Sequence, residues 1–363
     1  MKNTFGNNIT ITLFGESHGE AIGCVLDGIA PGIEVDENYI ASQMEKRKGI
    51  NSISTPRREA DKVRILSGVF QGKTTGTPIA LMIENSSQHS SDYSGTKDLA
   101  RPSHADYTAE CKYHGYQDYR GGGHFSGRLT APIVAAGAIC LRALENKGIA
   151  IGTHISSCAD IKDRDFDNLA EDIALLKNKE MPVLCDKASE DMISAIESAK
   201  NQGDSVGGTL TTAVIGMPAG VGEPWFDTVE GVLAHALFSI PAIKGVEFGL
   251  GFDFANKKGS TANDELTMCG GSVQTKTNNN GGVNGGITNG MPIVFSCAVK
   301  PTPSIFKEQQ TVNFKTMENT CVSIKGRHDP AIIHRARVVV DSITAIALCD
   351  LLVTRFGTDW LGA

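Results

Sequence analysis

Short runs in which apolar residues alternate with polar ones, or fill a block of five or six, recur along this chain with glycine-rich turns between them. Residues 9–14 (ITITLF) and 22–27 (IGCVLD) read as two strands joined through the turn GESHGEA. Residues 63–84 (VRILSGVFQGKTTGTPIALMIE) read as a strand pair folded about a second glycine turn. Asp36 has the chemistry of an N-cap and Gly49 that of a stop. A helix is predicted between them, with Lys46, Arg47 and Lys48 in a last turn whose dipole favours cations. The run from Ala131 to Leu144 is apolar on nearly every face and predicts a buried helix, with Pro132 in its first turn and Gly148 past its end.

Further along, the pattern predicts a strand at 149–155, a helix capped by Ser189 and running through Lys200, and a strand at 206–217. An apolar helix at 228–239 holds His235, read as a core histidine. Strands at 245–252 and 291–299 flank a glycine loop, 277–290, read as ordered and crossing close to a ligand rather than as a linker. The C-terminal helix is predicted over roughly 341–356, and 159–180 carries no strong pattern.

Strands and helices do not alternate regularly and no G-x-G-x-x-G is present, which disfavours a Rossmann sheet. The fold class expected is α+β, with antiparallel sheets packed on helices. With no repeat and no clear linker, a single domain over 1–363 is expected. The segment Gly68–Thr74 imitates a phosphate loop, but its spacing is one residue short and Pro78 with a β-like run follows where a helix should start.

Composition narrows the class. The 363 residues are 40% hydrophobic and 21% charged, the balance of an ordinary globular protein. A net charge of −7 argues against general nucleic-acid binding, so a local cluster of arginines points to a small anionic ligand. No apolar stretch has the length of a membrane span and MKNTFGNN has no signal-like core, so a cytoplasmic protein is expected. Nine scattered cysteines without a C-x-x-C pair read as reduced, mostly buried thiols.

The densest chemistry lies in Arg101–Thr130 (RPSHADYTAECKYHGYQDYRGGGHFSGRLT), with three arginines, three histidines and a glycine triplet ahead of the apolar helix. Glycines before a helix start let backbone N–H groups approach an anion, and arginine adds a planar fork of donors. GESHG, RPSHADYT with YRGGG, and GRHDP each set His or Asp beside Arg or glycine, where they neither cap a helix nor fill a core. Together they can supply an acid, a base and a phosphate clamp. Arg57 and Arg58 add a basic loop that reads as a lid. Two other classes stay open on the residues alone. One is a metal-dependent phosphatase on His104, His114 and His124, which lack H-x-x-x-H or H-x-E spacing. The other is a flavin- or nucleotide-binding module without catalysis.

Read with KGVE (244–247) and KPTPS (300–304), these segments resemble the chorismate synthases. GESHG (15–19), RPSHADYT (101–108), DYRGGG (118–123), SIPAIKGVEFGLGFD (239–253), GGVNGGITNG (281–290) and KGRHDP (325–330) match in sequence and order over essentially the whole chain. The resemblance implies a βαβ sandwich, two antiparallel sheets around central helices, assembled as a homotetramer. It implies conversion of 5-enolpyruvylshikimate-3-phosphate to chorismate and phosphate, with reduced FMN required but no net redox change. No reductase segment is apparent, so reduced flavin is expected from an external reductase, with NADPH as indirect reductant.

Residue by residue, the resemblance implies His18, beside Ser17, as proton donor to the leaving phosphate, and His104 as the histidine governing protonation of the flavin. Asp329 matches the acid that relays the C6 proton. Arg47, Arg101, Arg128 and Arg327 match the substrate-binding arginines, with Arg47 also placed for a nicotinamide nucleotide. FMN contacts are implied at His124, Phe125 and Ser126, at Pro241 and Ala242, at Gly285, along Lys300, Pro301, Thr302, Pro303 and Ser304, and at Arg327. No metal is implied. The chain departs from the family twice. His124-Phe125-Ser126-Gly127-Arg128 stands where many members carry Arg-Ser-Ser-Ala-Arg, and the loop at 50–56 lacks an arginine near Ser52.

Overall fold

The structure, a computed structural model, describes residues 2–50, 52–54, 61–85, 97–324 and 328–362. Arg57, Arg58 and Arg327 lie outside the described residues, as do 51, 55 and 56 of the predicted lid. The chain opens with β1 (Thr4–Phe5), β2 (Thr10–Gly15) and β3 (Ala21–Asp27), then α1 (Glu37–Glu45), capped by the Asp36 carboxylate accepting from Asn38 N. β4 (Val63–Ile65) and β7 (Ile79–Glu84) pair antiparallel, and the imitation phosphate loop between them is a small hairpin, β5 (Val69–Phe70) with β6 (Lys73–Thr74). Gln71 and Gly72 at its tip have φ of 48° and 73°, the left-handed pair that a tight hairpin turn needs.

After α2 (Asp106–Tyr113) comes α3 (Thr130–Asn146), then β8 (Ala150–Cys158). The patternless stretch 159–180 holds β9 (Ile161–Lys162) and α4 (Leu169–Leu176), the latter capped by Asn168. Eight residues give an apolar stripe too short to stand out from its polar flanks. α5 (Asp186–Asn201) begins before the predicted Ser189 cap: the carbonyl of Cys185 already accepts from Ser189 N, so the serine lies inside the helix. β10 (Gly208–Ile215) follows, then α6 (Val229–Leu237), capped by Thr228. His235 is on the exposed face of α6, edge-on to Phe5 at 5.5 Å, and is not a core residue.

β11 (Ile243–Phe248), α7 (Gly259–Ala262), β12 (Leu266–Cys269) and β13 (Ser272–Thr275) lead into the glycine loop, which carries the hairpin β14 (Val283–Asn284) and β15 (Ile287–Thr288). β16 (Ile293–Val299), β17 (Gln309–Asn313) and β18 (Glu318–Val322) precede α8 (Ile333–Phe356), two turns longer than predicted, and α9 (Asp359–Gly362).

Two five-stranded antiparallel sheets, ordered β1-β2-β3-β7-β4 and β11-β16-β10-β8-β9, enclose α3 and α8. The architecture is α+β, as expected. α3 packs on β3 and β7, while α8 packs on β8 and β10, so each helix serves one sheet and leans on the other. Their contact is close because residue 137 is glycine: a Cβ there would lie 2.3 Å from Ser342 Cβ. Asp350 of α8 ties down the chain entry, accepting from Asn7 N, Asn8 N and Ile9 N at 2.9, 2.7 and 2.9 Å.

The helix containing α3 is apolar enough to pass for a membrane span, yet 83% of its apolar window is buried between the sheets, where a sandwich demands an all-round apolar helix. Of the cysteines, Cys24, Cys140, Cys158, Cys297 and Cys349 are buried, whereas Cys111, Cys269 and Cys321 are exposed. Burial pushes the Cys158 thiol up to about 11 and the Cys297 thiol up to about 12, so those two stay protonated and inert.

Candidate active site

The glycine triplet is where the predicted site residues meet. Gly121, Gly122 and Gly123 have φ of 57°, 85° and 52°, three left-handed residues in a row. A Cβ on Gly121 would lie 2.3 Å from His18 Cε1 and 2.9 Å from Ser17 Oγ, so the backbone there sits flat against the GESHG loop. One residue on, a Cβ on Gly122 would be 3.7 Å from His104 Nε2. His18 and His104, 86 positions apart in sequence, therefore flank consecutive glycines. Ser17 N donates to the Gly123 carbonyl at 3.1 Å, and His124 Nδ1 is 2.8 Å from the Gly15 carbonyl, which fastens the two loops together. Ser17 and His18 are both buried. The triplet thus seats two imidazoles, and the α3 N-terminus begins only at Thr130, after a further turn.

A small hollow of about 40 Å³ opens beside His104, lined by Arg101, Asp106, Asp118, Gly122 and Phe125 among others. Its cation is engaged. Asp106 Oδ2 accepts from Arg101 Nε at 2.7 Å and from Arg101 N at 3.0 Å, while its Oδ1 accepts from Arg101 Nη2 at 2.7 Å. The same Oδ1 is 2.7 Å from His104 Nδ1. Burial pushes the Asp106 carboxyl up, but the hydrogen bonds and charges of Arg101 and His104 outweigh it and hold the group well below the usual carboxylate range. Asp118 is likewise held low, by its hydrogen bonds from Arg120 and, more weakly, by the charge of His18.

The larger cavity, about 280 Å³, lies where the end of α1, the start of α3 and the start of α8 converge. Arg47, Lys48, Arg128 and Arg335 line it against Asp61 and Asp329, so among the described residues cations outnumber carboxylates four to two. Asp61 bridges the arginines: its Oδ2 accepts from Arg47 Nη1 at 2.8 Å and its Oδ1 from Arg128 Nη1. Arg47 also donates to Thr130 Oγ1 at 3.2 Å, and Arg128 Nε donates to Asn85 Oδ1 at 3.1 Å, so both guanidinium groups are fixed from several sides. Asp329 accepts from Arg335 Nη1, and Arg335 Nε donates to the Arg47 carbonyl at 2.8 Å. Ser126 lines this cavity too and accepts from Arg128 N at 3.3 Å. The eight positions from Gly121 to Arg128 therefore run from His18, past His104, to the cavity holding Asp329.

His328 feels charges from both regions. Burial lowers its pKa, as do the charges of Arg101 and, less, His104, while the Asp329 carboxylate opposes them. Beside Arg335 in sequence, His334 is buried, and Ser54 Oγ is 2.9 Å from its Nε2. Burial, then the Arg335 charge, bring the His334 imidazole down to about 4.

The implied flavin contacts divide. Pro241 lines the large cavity, and Ala242 accepts from Lys300 N at 3.0 Å, which joins the turn 300–304 to it. Lys300 Nζ donates to the Ser103 carbonyl, beside His104. Ser205 Oγ donates to the Thr302 carbonyl at 2.7 Å, Ser304 is buried, and Pro301 and Pro303 hold the turn stiff. The Thr302 hydroxyl is buried with no hydrogen-bond partner among the described residues, which is what the polar rim of a ring system would satisfy. Phe125 lies edge-on to Tyr113 at 6.0 Å and lines the small hollow. These residues fit a flavin. Gly285 does not join them within the chain: it is at the tip of the β14–β15 hairpin, whose Gly286 packs on Thr228 at the other end of α6 from Pro241.

His104, His114 and His124 do not converge as a metal site: the first is on Asp106, the last on the Gly15 carbonyl, and His114 is exposed at the end of α2. Sequence reasoning missed Asp61, Asp106, Arg335 and His328. Asp106 and His328 stood inside quoted motifs and carried a local signal; Asp61 and Arg335 carried none, since their partners are distant in sequence.

The chain is similar to known proteins over nearly its whole length. The family model described as chorismate synthase matches residues 9–353. A chorismate synthase from Pyrococcus abyssi is 48% identical over 350 residues, covering 96% of this chain and 97% of that protein. One from Methanobrevibacter smithii is 46% identical over 358 residues, covering 97% of each. A crystal structure of chorismate synthase superposes with a TM-score of 0.78 at 31% identity, over 98% of this chain and 94% of that one. With its sheets, its central helices and its residues 9–353 all matched, the chain belongs to the chorismate synthase family, and is a lyase.

Proposed function

We propose that this lyase carries out the anti-1,4-elimination of phosphate and a C6 hydrogen from 5-enolpyruvylshikimate-3-phosphate, giving chorismate, with reduced FMN bound and no net redox change. The observation that carries the reading is the run Gly121–Arg128, which touches both imidazoles at one end and lines a cation-rich cavity containing Asp329 at the other. A substrate with two carboxylates and a phosphate needs such an excess of positive charge, and Arg47 and Arg128, fixed from several sides, supply it without reorganisation. Arg101 and Arg327 complete the cationic set in this reading.

The leaving phosphate departs with the electron pair of its C–O bond and takes a proton from His18, which Ser17 accompanies. The C6 proton passes to Asp329, whose carboxylate Arg335 orients. His104 faces the flavin, and Ser126, Pro241, Ala242 and the turn 300–304 hold it, with His124 and Phe125 shaping the path and Arg327 and Gly285 as further contacts. Bound reduced FMN supplies transient electron density that no side chain offers.

The same reading makes 1–363 one catalytic domain, cytoplasmic, acting as a homotetramer. Trp225, Phe226 and Phe252, 85%, 94% and 84% exposed, support burial against other copies. An external reductase delivers the flavin, with NADPH as indirect reductant and Arg47 as its nearest cationic contact. The test is anaerobic: protein, substrate and photoreduced FMN should yield chorismate absorbance. Absence of product beside a turning-over control enzyme would end the proposal.

A further inference from the structure

We propose that Asp106 is a positioning residue that holds His104 as the tautomer with its proton on Nδ1, leaving Nε2 as the lone-pair nitrogen on the Gly122 side, where the flavin reading puts the cofactor. The inference deepens the role given to His104 and rests on that reading for its functional meaning, though not for its geometry.

The geometry sets two neighbours in competition for one nitrogen. His104 Nδ1 is 2.7 Å from Asp106 Oδ1 and 3.0 Å from Arg101 Nη2. Guanidinium only donates, so pairing with Arg101 requires a bare Nδ1 and sends the ring proton to Nε2. Carboxylate only accepts, so pairing with Asp106 requires Nδ1–H. Nδ1 cannot satisfy both. The shorter contact is to the carboxylate, and a charged acceptor makes the stronger bond. Asp106 is ionised throughout the working range, because Arg101 and His104 hold its carboxyl low against the effect of burial. Arg101, with Nε and Nη2 both committed to Asp106, is aimed at the carboxylate first and at the imidazole second.

Among the described residues, no other charged group is hydrogen-bonded to Nδ1. His328, from the segment before α8, is coupled to it through space, and Lys300 ends on the Ser103 carbonyl. On the far side of the ring stands Gly122, whose missing Cβ leaves Nε2 open to the hollow. The carboxylate thus decides which nitrogen presents a lone pair to a ligand, as an orienting acid does in other histidine pairs. In sequence the whole device is three side chains at positions 101, 104 and 106, all ahead of or in the first turn of α2.

The experiment reads the tautomer directly, without flavin or substrate. Full-length protein labelled with 15N-histidine is examined at pH 8 by long-range proton–nitrogen correlation, with His104 assigned through His104→Gln. The wild type should give a protonated Nδ1 and a bare Nε2. In Asp106→Asn, the amide oxygen keeps Arg101 and the NH2 group now donates to the ring, so the proton should move to Nε2. Asp106→Ala should do the same with Arg101 as the remaining partner. A wild-type ring protonated on Nε2 or on both nitrogens overturns the proposal, as does an unchanged tautomer in the variants. Asp106→Asn guards against failure of the alanine variant to fold. In turnover, Asp106→Asn should lower kcat on the order of 100-fold with substrate KM within about three-fold, as for wrong-tautomer variants of histidine enzymes. Equal loss through KM would mark a merely structural role. If the spectra behave as stated while wild type makes no chorismate, the flavin reading fails and the tautomer assignment stands.

Discussion

The two halves of the site are built in opposite ways. Around His104 both side chains hydrogen-bonded to the ring come from six residues of chain: Arg101, His104 and Asp106 arrange themselves through a turn and the start of α2. Around Asp329 the partners come from the whole molecule: Arg47 follows α1, Asp61 precedes β4, Arg128 precedes α3, and Arg335 lies in the first turn of α8. The hydrogen bonds of the first half are local in sequence. The second exists only once both sheets have closed on α3 and α8. Local construction suits a group whose orientation must not vary, and long-range construction suits a cavity whose charges must surround a ligand. The difference also governs how each half should fail.

The largest effect is expected in the assembled half. Arg128→Ala leaves Asp61 a nearly buried carboxylate with one arginine instead of two, and should lower kcat/KM about 100- to 1,000-fold, or roughly 3–4 kcal/mol. Steady-state assay at saturating reduced FMN checks it, and a loss below ten-fold would mean that the assembled half tolerates dismantling.

Stability against acid comes next. His334, buried against Ser54, is brought down by burial to about 4 when folded, from near 6.5 when unfolded. Between those values the unfolded chain binds the extra proton, so stability falls as pH drops through that window, by about 3 kcal/mol in all. Urea unfolding from pH 7.5 to 4.5 measures the slope, and His334→Gln should flatten it relative to wild type. Asp106, whose carboxyl is held low in the fold, adds to the loss only at the acid end of that window, as pH nears its unfolded value of 3.8.

Gly121→Ala tests the junction between the halves. It places a Cβ 2.3 Å from His18 Cε1 on a left-handed backbone, so kcat should fall about 30-fold, near 2 kcal/mol, through a displaced imidazole. A rate within three-fold of wild type would show that the contact is not needed. The smallest effect is a gain. Asp61→Asn removes a negative charge from between Arg47 and Arg128, so inorganic phosphate should bind about five-fold tighter by calorimetry, close to 1 kcal/mol. Weaker binding would mean that Asp61 organises the arginines more than it neutralises them.

The same division runs through what the sequence made readable. β2, β3, α1 and α3 were legible because each carries its own period and punctuation, Asp36 at the start of α1, Pro132 and Gly148 at the two ends of α3. α1 itself stops at Glu45, short of Gly49 and of the basic residues expected in its last turn. α4 was not legible, being eight residues long, and the α5 cap was placed four residues late because a serine looked like it. His235 was misjudged because an apolar helix was assumed to bury every face, whereas α6 lies at the surface with that face outward. In the site, GESHG and RPSHADYT announced themselves, since histidine among glycines has little structural use. Asp61 gave no warning, because its meaning lies in two arginines 14 and 67 positions away.

By itself, then, the sequence determined the α+β class, the buried helix, the histidine-bearing glycine loops and the family. Those rest on periodicity, capping and motif order, which are properties of neighbouring residues. Only tertiary structure decided that His18 and His104 face adjacent glycines, that Asp61 lies between two arginines and that Gly285 is apart. Each depends on which surfaces two sheets bring together when they bury α3 and α8, and that packing is a property of the whole chain.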